Sequence, residues 1–170
     1  MTLASATNGF AGAVAVTGAD VQWVDARASV LGASTVSGTY SVIATASGGI
    51  TQTGALAVTG VSTFQADTSN DITLTTATNN FVAAVGITSG RNVQLVDAGA
   101  IALCASTVSE TYRVIATASG GINQTGRVAV TGVSDFQAHK STAKPLPTPS
   151  TNLTSVDTRA PRLSVQQNRM

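Results

Sequence analysis

The segment Val21–Ala66 returns at Val93–Ala138 without a gap, shifted by 72 positions, with about three quarters of its residues unchanged. The string VIATASGGI is spelled identically at Val42–Ile50 and at Val114–Ile122. Upstream, TNGFAGAVAVT (Thr7–Thr17) matches TNNFVAAVGIT (Thr78–Thr88) at a shift of 71, with one residue inserted near Ser89 and Gly90. Met1–Leu3 lies where Asp71–Leu74 lies in the second copy, so the repeat is entered part-way through. A duplication this close restricts the chain to folds in which a unit packs against, or stands beside, a copy of itself.

A shorter period runs beneath the long one. GAVAVTG (Gly12–Gly18), GASTVSG (Gly32–Gly38) and GALAVTG (Gly54–Gly60) share one pattern, with starts 20 and 22 residues apart, and the next start is Ala83, 29 residues on. A second ladder pairs Trp23 with Leu31, Val42 with Ile50 and Phe64 with Ile72, always eight apart. Inside these segments the side chains alternate: Val14 and Val16 against Ala15 and Thr17, Leu56 and Val58 against Ala57 and Thr59, Ile72 and Leu74 against Thr73 and Thr75. That is the period of a half-buried strand. Gly, Asn, Asp or Ser separates strand-sized pieces every seven or eight residues. Three short strands and three corners per lap specify a parallel β-helix, with each lap about 4.8 Å above the last. Each 72-residue repeat then reads as three laps, the third carrying an insertion around TTATNN (Thr75–Asn80). Within the duplicated string, Val42, Ala44 and Ala46 are expected inside, Ile43 and Thr45 outside, and Ser47–Gly49 at a corner. A string of β-sandwich domains is the competing architecture. Units of 72 residues are short for it, since immunoglobulin-like domains take about 100.

Composition agrees with small-residue β-structure. Only 10% of the residues are charged and 4% aromatic, whereas globular domains are roughly a quarter charged. Over 1–138 the bases Arg27, Arg91, Arg113 and Arg127 face Asp20, Asp25, Asp67, Asp71, Asp97, Glu110 and Asp135. This acidic body excludes nucleic acid as a partner, because phosphate backbones need a basic surface. No apolar run reaches the length of a membrane-spanning helix, so no membrane insertion is expected. The start MTLASATNGFAGAVAV shows no basic segment followed by a long apolar run, and no signal peptide is read there. Cys104 is the single cysteine, which rules out an internal disulfide or a cysteine-built metal site. Near His139 the pattern fails. The remainder, 139–170, is rich in Pro, Ser and Thr and reads as a disordered tail.

The phrases DITLTTATNNFVAAVGIT (Asp71–Thr88), NVQLVDAGAIAL (Asn92–Leu103) and GGITQTGALAVTGVSTFQA (Gly48–Ala66), with their partner copies, resemble the repeat regions of very large bacterial surface proteins. These are the β-solenoids of filamentous-haemagglutinin-like and autotransporter-adhesin-like proteins. The resemblance covers 1–138. It implies an all-β, right-handed parallel β-helix, here of about six laps and roughly 30 Å. It also implies a rod that is part of a longer secreted or cell-surface protein and displays binding surfaces to glycans or to a host or neighbouring cell.

His139, the only histidine, falls where the repeat breaks, a poor base for a triad or a metal site. Asp25 and Asp97 fill equivalent VDA turns and Asp71 precedes a strand. Stacked, they would offer oxygens to Ca²⁺, but an aspartate at a corner ordinarily accepts backbone N–H groups. Bases change between copies: Arg27 becomes Gly99, Ser41 becomes Arg113 and Ala55 becomes Arg127. No acid–base cluster of the kind glycosidases need is visible. Thr73 and Thr75 form one Thr-x-Thr pair that does not recur at every lap, against an ice-binding reading. Trp23 aligns with Leu95 and reads as core. Tyr40 and Tyr112 read equally as sugar platforms or corner fillers, and Cys104 as an isolated thiol. The expectation is therefore a structural or adhesive segment, not an enzyme, with no catalytic, cofactor or metal site. The rival is a carbohydrate-active β-helix enzyme, a lyase or glycosidase. Unpaired strands at the ends of such a solenoid favour end-to-end self-association.

Overall fold

The computed structural model describes residues 1–45, 48–139 and 163–165; of the last three, the backbone alone. The first repeat and its lead-in contain β1 (Thr2–Leu3), β2 (Thr17–Gly18), β3 (Val21–Asp25), β4 (Ser29–Leu31), β5 (Ser34–Val36), β6 (Tyr40–Ala44), β7 (Ile50–Gln52), β8 (Leu56–Val58) and β9 (Ser62–Gln65). The junction contains β10 (Ile72–Leu74), β11 (Asn80–Phe81) and β12 (Val85–Ser89). The second repeat contains β13 (Val93–Asp97), β14 (Ile101–Leu103), β15 (Ser106–Val108), β16 (Tyr112–Ala116), β17 (Ile122–Gln124), β18 (Val128–Val130) and β19 (Ser134–Ala138). A last strand, β20 (Leu163–Val165), closes the series.

Apart from β20, every pairing is parallel and joins one turn to the next, which makes an all-β parallel solenoid of about six turns. One face runs β1-β3-β6-β9-β12-β14-β17, the second β4-β7-β10-β13-β16-β19, and the third β2-β5-β8-β11. A two-stranded sheet, β15-β18, continues past the far end of β12, where the Ile87 amide donates to Ser106 Oγ and the Ser109 amide to the Gly90 carbonyl. β20 lies antiparallel on the outer edge of β19, with Asp135 opposite Ser164. The expectation of a disordered tail otherwise falls on 140–162 and 166–170, outside the described residues.

The alternation in the sequence is the alternation of burial. Val42 and Ala44 are inside, Ile43 is half-buried and Thr45 exposed, while Ala46 and Ser47 lie outside the described residues. Inward side chains stack in columns. One holds Leu3, Trp23, Val42, Phe64 and Ile87, and another holds Leu74, Leu95, Val114 and Phe136. Edge-on aromatic pairs lock neighbouring turns, Phe10–Trp23 at 5.3 Å and Tyr40–Phe64 at 6.0 Å. Each fully buried side chain of this size contributes about 1.5–3 kcal/mol. Gly48 and Gly49 at the duplicated corner have φ of 114° and 67°, as Gly120 and Gly121 do at 113° and 70°, a conformation that strains other residues.

The total of about six turns is as expected, but the 72-residue repeat does not divide into three of them. Turns vary from 17 residues (Val14 to Leu31) to 24 (Gln65 to Ser89, at a bulge), and the inserted stretch leads into Asn80–Phe81, which forms β11 on β8. Three turns from Ser29, through Ile50 and Ile72, arrive at Val93, whereas the copy of Ser29 is Ile101. A 72-residue repeat therefore makes three turns and about a third of another. The second copy is rotated by one face: β3, β6 and β9 lie on the first face, but their copies β13, β16 and β19 lie on the second.

Candidate functional site

The rotation decides the fate of the paired aspartates. Asp25 and Asp97 end β3 and β13 on different faces, with Ala44 and Ala116 as their neighbours in the next turn, so they do not stack. Each carboxylate is buried and turned back on its own corner. Asp25 Oδ1 accepts from the amides of Arg27 (3.0 Å) and Phe10 (3.3 Å), and its Oδ2 from the Ser29 hydroxyl at 3.4 Å. Asp97 Oδ1 accepts from the Phe81 amide at 3.2 Å. Its Oδ2 has no partner among the described residues, because Ile101 stands where Ser29 stood. Burial pushes the Asp97 carboxyl above the usual range, opposed by backbone amides at Phe81, Gly99 and Ala98. These are corner staples.

A second polar cluster was missed by the sequence reading. Asn79 is fully buried and clasps Gln52: its Oδ1 accepts from Gln52 Nε2 at 2.8 Å, and its Nδ2 donates to Gln52 Oε1 at 2.9 Å. Asn79 Oδ1 also accepts from the Leu56 amide (3.0 Å), while Nδ2 reaches the carbonyls of Leu74 (3.3 Å) and Val96 (3.2 Å). One amide thus ties three successive turns. The half-buried Asn8, its copy, reaches the Leu3 and Val24 carbonyls in the same way. The signal was in the doubled TN.F and GGI.QTG phrases, whose Asn and Gln recur in both copies.

On the surface, Arg91 holds Asp71 with two bonds, Nε to Oδ1 at 2.9 Å and Nη2 to Oδ2 at 3.1 Å, which depresses the Asp71 carboxyl. Arg113 meets Asp135 at 3.3 Å across neighbouring turns. Asp20 accepts from the Thr39 amide and hydroxyl, and these bonds lower its carboxyl. Trp23, Tyr40 and Tyr112 are wholly inside, so the tyrosines fill the interior and present no platform to a sugar. Burial pushes the Tyr40 hydroxyl up to about 12 and the Tyr112 hydroxyl higher. Cys104 is half-buried beneath the lap that carries Gly126. His139 is exposed and bonds through its amide to the Ala116 carbonyl at 2.9 Å, beside a shallow concavity lined by Ile115, Thr117 and Gln137. Thr73 lies beside Gln94 in the next turn, so no threonine ladder continues from it.

Among the described residues no group of three His, Cys, Asp or Glu side chains converges. Nor is any helix there long and apolar enough to cross a membrane. What these side chains do chemically is satisfy backbone groups at the corners and between turns.

No match was found among curated proteins or among solved structures. A family model described as repeats of unknown function (DUF5649) matches twice, over 18–88 and 90–145, in step with the duplication. Together these matches cover most of the chain, which therefore belongs to the DUF5649 family of repeats.

Proposed function

We propose that the chain is a rod segment, structural or adhesive, of a large secreted or surface-displayed bacterial protein, and that it performs no catalysis. One observation carries this reading. The buried polar side chains are spent on holding the backbone together, while several charges that differ between copies point outward. Ser41 and Thr63 become Arg113 and Asp135, and Ala55 becomes Arg127, all on exposed or half-exposed positions. A surface free to drift over a fixed interior suits a spacer or a display scaffold, whereas a catalytic groove would hold its acids and bases constant. The resemblance of the repeat phrases to filamentous-haemagglutinin-like and autotransporter-adhesin-like solenoids supports the same reading.

The test is a glycan array run beside a turnover assay on the same polysaccharides. Binding without product, or no binding, supports display or spacing respectively. Any unsaturated or newly reducing product overturns the proposal in favour of a lyase or glycosidase.

A further inference from the structure

The two ends of the solenoid are complementary halves of a junction that the chain also contains whole. In the interior, the turn built from β7, β8 and β9 is covered by β10, β11 and β12. At the far end, β17, β18 and β19 are copies of β7, β8 and β9. At the near end, residues 1–3, 9–10 and 14–18 are copies of β10, β11 and β12. Burial shows what each half lacks. Ile50, Leu56 and Phe64 are 0% exposed, yet their copies Ile122, Val128 and Phe136 are only partly buried. Leu74, Phe81 and Val85 are at most 1% exposed, whereas Leu3, Phe10 and Val14 are partly open.

The polar clasp is split in the same way. Gln124 keeps the local bond of Gln52, donating to the Gly126 carbonyl at 2.9 Å, and its Oε1 has no partner among the described residues. Asn8 keeps its two carbonyl bonds, and its Oδ1 has none there either. A half-clasp at each end, half-buried at Asn8 and exposed at Gln124, matched in sequence and register, points to one occupant.

We propose that the far end docks the near end of a second copy of this chain, in the register of the interior junction. Ile122 then meets Met1, Ala129 meets Gly9, Val130 meets Phe10 and Phe136 meets Val16, as Ile50, Ala57, Val58 and Phe64 meet Ile72, Asn80, Phe81 and Ile87 within the chain. Asn8 and Gln124 re-form the clasp. The contact is head-to-tail and does not close on itself, so it propagates into a fibre. β20 holds the outer edge of β19 in the single chain and is displaced on docking. The inference does not rest on the display reading.

Disulfide trapping tests the register. In a C104S background, Ala129→Cys protein is mixed with Gly9→Cys protein, and Thr131→Cys with Gly9→Cys serves as the pair two residues out of step. The mixtures are run with and without Ser164→Pro, which removes a backbone donor from β20. Because paired strands put these Cα atoms within disulfide reach and a two-residue slip does not, the in-register mixture is expected to cross-link about tenfold more. Gln124→Ala, at an exposed side chain, is expected to lower that yield several-fold. Equal trapping of the two pairs, or no trapping in either β20 background at high concentration, overturns the proposal.

Discussion

The two repeats are nearly one sequence, and several of their differences come as touching pairs. Arg27 packs over Gly9, where an added Cβ would lie 3.2 Å from its Nε; in the copy the bulk changes sides, and Asn80 stands against Gly99. Ala15 lies against Gly32, whose added Cβ would lie 3.2 Å from the alanine methyl; in the copy Gly86 lies against Cys104, whose sulfur would be 2.7 Å from a Cβ there. Ser41 and Thr63 are neighbours in register, and their copies Arg113 and Asp135 make an ion pair. Stacking therefore constrains the sum across two turns more tightly than it constrains either residue. Where a change was not matched, a defect remains: Ser29 became Ile101, and Asp97 Oδ2 lost its donor.

The largest effect tests whether the neighbouring turn, and not the residue's own backbone, sets the cost. Gly49 and Gly121 share φ near +70°, but a Cβ on Gly49 would lie 1.9 Å from the Asp71 carbonyl oxygen, while among the described residues Gly121 meets only the Ala138 methyl at 3.7 Å. Gly49→Ala is expected to cost more than about 3 kcal/mol, and Gly121→Ala about 1 kcal/mol, the strain of the dihedral alone. Equal losses in urea titrations would mean that φ decides and stacking does not.

Asn79→Ala is expected to come next, at about 3 kcal/mol, since it strands the Leu56 amide and the Gln52 carboxamide inside the fold. Asn8→Ala should cost about 1 kcal/mol, because its outer partners are missing. A loss at Asn8 as large as that at Asn79 would break the end-versus-interior comparison.

Much of this fold was legible in the sequence, for a physical reason. Strand periodicity and corner glycines are local, so the parallel solenoid, its total of about six turns and the inward positions of Val42, Phe64 and Ile72 could be read from the repeats. The rotation of the second repeat could not. It depends on which strand hydrogen-bonds to which, and the insertion after Leu74 does not by itself say that β11 pairs with β8. The same long-range pairing hid the clasp, because Gln52 and Asn79 are 27 residues apart and only the stack brings them together. Asp25 and Asp97 as corner acceptors were legible, since an Asx-type bond is local.

Titration separates the two copies further. The raised Tyr40 and Tyr112 hydroxyls favour the fold while neutral; that stability is whole below the unfolded value near 10 and is lost as pH rises toward 12. The loss is about 2–3 kcal/mol for Tyr40, and Tyr40→Phe should flatten its share. Asp97 runs the same way in the acid range: its contribution is present below the ordinary carboxylate value and falls as pH rises through its raised one. Asp20 and Asp71, lowered in the fold, act oppositely and at lower pH. Asp97→Asn is expected to abolish the slope above the ordinary carboxylate range in denaturation curves taken across pH. A slope that survives the substitution would assign it elsewhere.

The smallest effect bears most directly on paired drift. Arg113 and Asp135 are both partly exposed, so their ion pair should contribute at most about 0.5–1 kcal/mol, and less in high salt. Reverting both to the first repeat's residues, Arg113→Ser with Asp135→Thr, should be almost neutral. A single reversion loses the pair and leaves one charge at the surface, a cost of a few tenths of a kcal/mol. Transplanting the pair, Ser41→Arg with Thr63→Asp, should reproduce the same coupling on the other face, since both register pairs face outward from stacked strands. A double-mutant cycle on each repeat gives the two coupling energies. If they agree, the repeats are interchangeable units despite lying a third of a turn apart. If only the second repeat shows coupling, the face on which a copy lands matters as much as its sequence, and the drift between copies was selected where it stands.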